Sequence, residues 1–188
     1  MPIFQNQQRQ NQFNKIGKIQ NNMANGTAGA NAQGAYTVAV GLQAGNSLQG
    51  DYAVAVGFNA GYESQGNNSV AIGLYAGNSS QGQSAVAIGS NAGTATQGQF
   101  SVAVGQGAGN TTQGEQAVSI GLQAGFTTQG NYAVAIGKFS ANTNQGTYAV
   151  AVGPNAGQEN QLANAVAIGS TAGASSQGIN SVAVGVSA

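Results

Sequence analysis

Asn68-Ser69-Val70-Ala71-Ile72-Gly73-Leu74-Tyr75-Ala76-Gly77 is followed, sixteen residues on, by Ser84-Ala85-Val86-Ala87-Ile88-Gly89-Ser90-Asn91-Ala92-Gly93. The spacing holds in both directions. One column reads Val38, Val54, Val70, Val86, Val102, Val118, Val134, Val150, Val166 and Val182 without exception. Two residues later stands Val or Ile every time, from Val40 to Val184, and each is followed by Gly (Gly41 through Gly185). A Gln-Gly pair keeps the same period at Gln33-Gly34, Gln49-Gly50 and onward to Gln145-Gly146, becomes Gln161-Leu162, and returns at Gln177-Gly178. No insertion interrupts the period. Such strictness marks a solenoid, in which a unit buries its apolar side only against its neighbours.

β-Branched residues two apart and closed by Gly read as a short strand and a turn. Sixteen residues are too few for two helices with their turns. Each unit is therefore expected to be one coil with two short strands, one around the Val-Ala-Val/Ile triplet and one ending at Gln-Gly. Stacked coils form parallel sheets at ~4.8 Å per coil, so ten coils span roughly 48 Å. The predicted fold class is all-β, a parallel β-solenoid over residues 31–188, with an N-terminal arm over residues 1–30.

Repeats such as Asn68-Ser69-Val70-Ala71-Ile72-Gly73 and Asn180-Ser181-Val182-Ala183-Val184-Gly185, each within a coil that also carries Ala-Gly, resemble the YadA-like head repeats of trimeric autotransporter adhesins. The resemblance covers residues 33–188. It implies a left-handed β-roll with three chains side by side, in a surface adhesin. Similar repeats occur in phage and viral fibre proteins. Two features depart from the family: its unit is usually a little shorter, and the Gln-Gly turn is unusual. The sequence also shows no signal peptide, long coiled-coil stalk or membrane anchor, so an extracellular filament or virion surface is expected with export by another route.

Composition narrows the function. The chain has 188 residues, with 4 Lys+Arg, 4 Asp+Glu, no His and no Cys. Acid–base catalysis, nucleophilic triads and soft-metal sites draw on the groups that are scarce here, so no enzyme, cofactor or metal is expected. A net charge of zero with 4% charged residues argues against nucleic acid as a partner. No apolar run approaches the roughly 18 residues of a membrane helix. Gln and Asn together number 44, which alone would suit a disordered tract, but the regular Val and Ile columns argue against one. Asp51 and Glu115 share a column four coils apart, roughly 19 Å at the coil spacing, too far for a glycosidase pair at about 5–9.5 Å.

Alternation along the strand places adjacent side chains on opposite faces. With the Val and Val/Ile columns assigned to the coil interior, the residues between them face out: Ala39, Ala55, Ala71, Ala87, Ala103, Ala135, Ala151, Ala167 and Ala183, with Ser119 in the same column. A small, uncharged face suits packing against another chain, and this column is the expected lateral interface; a bland face on a monomer is the competing reading. Val182, Val184 and Val186 close the last coil with no Pro or Lys on the strand edge, and form the expected axial interface.

The arm carries Arg9, Lys15 and Lys18 and no acid, whereas residues 31–188 carry Asp51, Glu63, Glu115 and Glu159 against Lys138. Ile3, Phe4, Phe13, Ile16 and Ile19 suit a tail that contacts a neighbouring subunit; a disordered terminus is the alternative. Tyr36 and Tyr52, and Tyr132 and Tyr148, fall in one column of adjacent coils and should stack. A sugar platform is the rival role for those rings. Thr96, Thr112 and Thr128 form a short ladder, interrupted too often in its column for an ice-binding face to be favoured. The sequence thus points to a self-associating structural subunit of a fibre or filament, a homo-oligomer that is trimeric or filamentous. The alternative is an adhesin-like head that binds a cell or host surface.

Overall fold

The computed structural model describes residues 19–20 and 28–188. It is a parallel β-solenoid with a sixteen-residue coil. One sheet of eleven strands runs from Ile19–Gln20 through Val38–Val40 to Val182–Val184. The other has ten strands, from Asn31–Gln33 to Ser175–Gln177. Consecutive strands alternate between the sheets, and from Asn31 onward the pairings join residues of one column, as in Val102↔Val118, Ala103↔Ser119 and Val104↔Ile120, whereas Ile19 and Gln20 pair with Val38 and Ala39 outside the sixteen-residue spacing. The two strands per coil expected from the repeat are both present.

The interior is the reverse of the expected one. Ala55, Ala71, Ala87, Ala103, Ala135, Ala151 and Ala167 have no exposed surface, Ala39 is buried and Ala183 partly so. They point into the coil. The column two residues earlier (Ala53, Ser69, Ala85, Ser101) is buried with them, as is the Ala44, Ala60, Ala76 column beyond the turn. Val38, Val54 and their equivalents lie half-buried on the outside, beside the Val/Ile column. The strand triplet alternates either way round, and its phase is decided by width. A coil of sixteen residues brings its walls close enough that methyl groups fill the space, and a pair of inward Val side chains per strand would not fit.

The largest interior side chain is polar. Gln49, Gln65, Gln81, Gln97, Gln113, Gln129, Gln145 and Gln161 are all buried, one per coil. Each crosses the coil and ties its walls together. Gln113 Nε2 donates to Val102 O at 2.8 Å and to Ala117 O at 3.3 Å. The same pair of carbonyls is engaged by Gln49, Gln81, Gln129, Gln145 and Gln161 in their own coils. From Gln129 onward the amides also link coil to coil. Nε2 of Gln129, Gln145 and Gln161 donates to Oε1 of Gln145, Gln161 and Gln177 at 3.0, 3.1 and 3.0 Å. In the first half Oε1 of Gln49, Gln65, Gln81, Gln97 and Gln113 accepts no hydrogen bond. Those oxygens rest against glycine: a Cβ on Gly61 would stand 2.6 Å from Gln65 Oε1, so only a Cα hydrogen fits between.

Interior exchanges of Ala for Ser are satisfied locally. Ser69 and Ser101 hydroxyls donate to Gly66 O at 2.6 Å and Gly98 O at 2.7 Å. Ser119, in the otherwise Ala column, donates to Gln129 Oε1 at 2.7 Å. At the irregular turn after Lys138, Ser140 takes an Ala position and donates to Gly137 O at 3.0 Å.

The glycine after each Val/Ile residue has φ near 125°, a region closed to L side chains. A Cβ on Gly105 would also lie 2.6 Å from Gly121 O in the next coil. Gly185 has φ of 132° but meets only Ala188 Cβ at 3.8 Å. Gly178 has an ordinary φ and nothing within 4 Å. Replacing Gly105 by Ala should therefore cost about 1–3 kcal/mol of backbone strain plus the coil separation, and Gly185→Ala the strain alone. Gly178→Ala should be close to neutral. Thermal melts of the three variants check the ranking, and equal melting points would mean that coils are not in contact at Gly105.

Candidate assembly surfaces

Once Ala lines the inside, the outer face of the first sheet is a double row of Val and Ile. Ile72, Ile88, Ile120, Ile136 and Ile168 are 37–42% exposed, and the Val residues of the neighbouring column are half-buried except at the last coil. Neither column contains a polar residue in any coil. The second sheet turns a different chemistry outward, with Ser64, Thr96, Thr112, Thr128, Asn144 and Asn160 exposed. A solvated β-face carries side chains of the second kind. A continuous apolar strip is characteristic of a surface that meets another molecule.

The expected lateral interface is therefore corrected. Ala39, Ala55, Ala71, Ala87, Ala103, Ala135, Ala151, Ala167 and Ala183 belong to the coil interior and present no outward face. Their flanking Val and Ile residues do. The error is one of phase, because a strand shifted by one residue exchanges its faces. A signal for the correct phase was present: the small residues Ala53, Ala55 and Ala60 recur in three columns of one coil, and the unvarying Gln65 needs an interior to justify it.

Val182, Val184 and Val186, expected to be axial contacts, are 70%, 63% and 79% exposed; the first two lie on the outermost strand of the first sheet. Ile3, Phe4, Phe13 and Ile16 lie outside the described residues. Ile19 and Gln20 form a strand whose backbone pairs in parallel with Val38 and Ala39, so the arm's end covers part of that sheet's first edge.

The aromatic ladder forms as expected. Tyr36 and Tyr52 stack with centroids 5.1 Å apart at 12°, and Tyr132 and Tyr148 at 5.0 Å and 8°. Thr96, Thr112 and Thr128 are aligned in the second sheet. Asn144 and Asn160, in the same column, take positive φ of 53° and 49°, whereas these threonines do not. Lys138 lies 5.0 Å from the centroid of the Phe139 ring at the irregular turn. Among the described residues no group of three His, Cys, Asp or Glu side chains could hold a metal ion. Among the described residues no helix is long and apolar enough to cross a membrane.

No curated protein and no solved structure matches the chain. A family model does, the YadA head domain repeat, in two copies at residues 80–108 and 163–188. The matched stretches contain the Val86-Ala87-Ile88-Gly89 and Val182-Ala183-Val184-Gly185 segments, and the intervening coils keep the same columns. The chain is thus a β-solenoid, two stretches of which are similar to the YadA head domain repeat.

Proposed function

We propose that the protein is a non-enzymatic structural subunit whose solenoids pack side by side, through the Val/Ile face of the first sheet, into a surface-exposed or virion-associated fibre. The observation that carries this reading is the contrast between the two outer faces. One is apolar in all ten coils, and the other is polar in eight of ten, with Ala32 and Leu48 the exceptions. Burial of the apolar strip stabilises an assembly in proportion to the area removed from water, about 25 cal/mol per Å². The YadA head repeat supports an adhesin-type structural role in a homo-oligomer. Its association with trimeric adhesins favours a threefold arrangement around the Val/Ile faces.

Replacing Ile88 and Ile136 by Lys tests this. Both side chains are on the outside, so the solenoid should keep its β circular-dichroism signal and its melting point to within a few degrees. The assembly should dissociate, because each interface would bury unpaired ammonium groups at several kcal/mol per ion. Sedimentation velocity and negative-stain electron microscopy read the outcome. Oligomers that survive both charges would show that this face is not the interface.

A further inference from the structure

Tyrosine is costly where Tyr132 and Tyr148 stand. Both have φ of 60°, and the residue in this column is left-handed in every coil, with Asn68, Ser84, Gln116, Asn164 and Asn180 among the others. An aromatic L residue tolerates that region less well than Asn does. The chain has six tyrosines, and four of them fall in this column, always as neighbours: Tyr36 with Tyr52, and Tyr132 with Tyr148. An aromatic ring alone is supplied by a single residue, as by Phe100 in its own coil. What the paired positions add is a second phenol beside the first.

The rings of Tyr132 and Tyr148 lie 5.0 Å apart between centroids and within 8° of parallel. The adjacent coils hold their backbones in register, with Tyr132 N–H donating to Glu115 O at 2.9 Å and Tyr148 N–H to Asn131 O at 3.0 Å. Side chains that leave equivalent backbone positions place like atoms about one coil spacing apart, ~4.8 Å. The rings are 40% and 57% exposed, so neither is locked in the core. The pair also brackets the least regular coil. There Ala141, with φ of 44°, stands where the coils on either side have Gly125 and Gly157, and a side chain in that region is strained. The chain contains no Cys, so no disulfide can fasten one coil to the next.

We propose that Tyr132 and Tyr148 are an oxidative cross-linking site, at which a dityrosine bond joins adjacent coils of one chain. The oxidant is hydrogen peroxide, with a haem peroxidase as catalyst. Each phenol loses one electron and one proton. The two phenoxyl radicals couple through one ortho carbon of each ring, and the hydrogen on each of those carbons moves to its ring oxygen as aromaticity returns. The protein loses two hydrogen atoms in all, and one peroxide is reduced to two waters. Proximity favours coupling within the pair over coupling to a tyrosine of another molecule. The bond closes a loop of one coil and restricts the unfolded chain, as a disulfide does. The cross-link does not depend on the lateral interface.

Oxidation of the full-length protein with hydrogen peroxide and a haem peroxidase tests the assignment. Digestion after Glu115, Lys138 and Glu159 separates residues 116–138, which contain Tyr132, from residues 139–159, which contain Tyr148. After oxidation these two peptides should remain joined, lighter by two hydrogen atoms than their sum, in protein recovered from the monomer band of a denaturing gel. Oxidation in urea, where the stack is lost, should lower the joined yield severalfold. Tyr132→Phe keeps a ring that the column already accepts at Phe100, so it should retain the β circular-dichroism signal and abolish the joined peptides. Peptides that separate after oxidation of the native protein would overturn the proposal, as would joined peptides found only in cross-linked dimers. Equal yields with and without urea would show that the stack does not direct the coupling and would overturn it as well.

Discussion

Ala103→Arg is expected to unfold the middle of the solenoid rather than release folded monomers. Ala103 has no exposed surface, and it packs between Ala87 and Ser119 of the adjacent coils. Its Cβ already lies 3.3 Å from the position a Cβ would take on Gly109 across the coil. A guanidinium there has no room and no carboxylate. Burying an unpaired charge costs several kcal/mol even after relaxation, and a domain's whole stability is about 5–15 kcal/mol. Solenoid coils are stabilised by their nearest neighbours, so a failed central coil also uncouples the two halves. The expected result is loss of most β circular dichroism, or a melt split into two weaker transitions. A variant with native dichroism that had merely dissociated would return the Ala column to the outside. Set against Ile88→Lys/Ile136→Lys, which should dissociate and stay folded, it separates interior from interface within one strand.

Gln113→Glu should make stability depend steeply on pH. The Gln113 amide donates to Val102 O and Ala117 O inside the coil, and a carboxylate in its place would point negative oxygens at both carbonyls. Burial and those carbonyls would raise the folded-state pKa of the new acid above its unfolded value of about 4.3. Below that value both states are neutral, and the carboxyl O–H replaces one of the two donated bonds. As pH rises past it, the unfolded chain ionises first, and stability falls by about 1.4 kcal/mol per unit until the folded pKa is reached. If the folded pKa lies at or above neutrality, the loss by pH 7 is about 3–4 kcal/mol relative to acid conditions. Gln113→Leu offers the reference. It removes both bonds donated by the amide, with Ala117 O keeping the Val102 N–H at 2.9 Å, and its deficit should not vary with pH. Thermal melts of both variants between acid and neutral pH decide the matter, and parallel curves would show that Gln113 does not cross the interior.

These two experiments probe the part of the molecule that the sequence left ambiguous. The sixteen-residue period, the two strands of each coil, the in-register columns and the stacked tyrosines are all local or repeating properties, and each was readable from identical residues at a fixed spacing. Strand pairing between coils needs only that spacing. The inside of the coil is a different kind of property. Val-Ala-Val satisfies alternation with either face inward, and hydrophobicity alone favours burying the larger residues, which puts the Ala column outside. The closed cross-section reverses that preference. Two walls joined by glycine turns leave space for methyl groups and one extended amide, so Ala and Gln enter and Val and Ile remain outside. The sequence by itself determined the repeat, its strands and its register. Only the tertiary structure decided which face is core and which is available for assembly, because that choice depends on the distance between walls, a quantity that no single strand encodes.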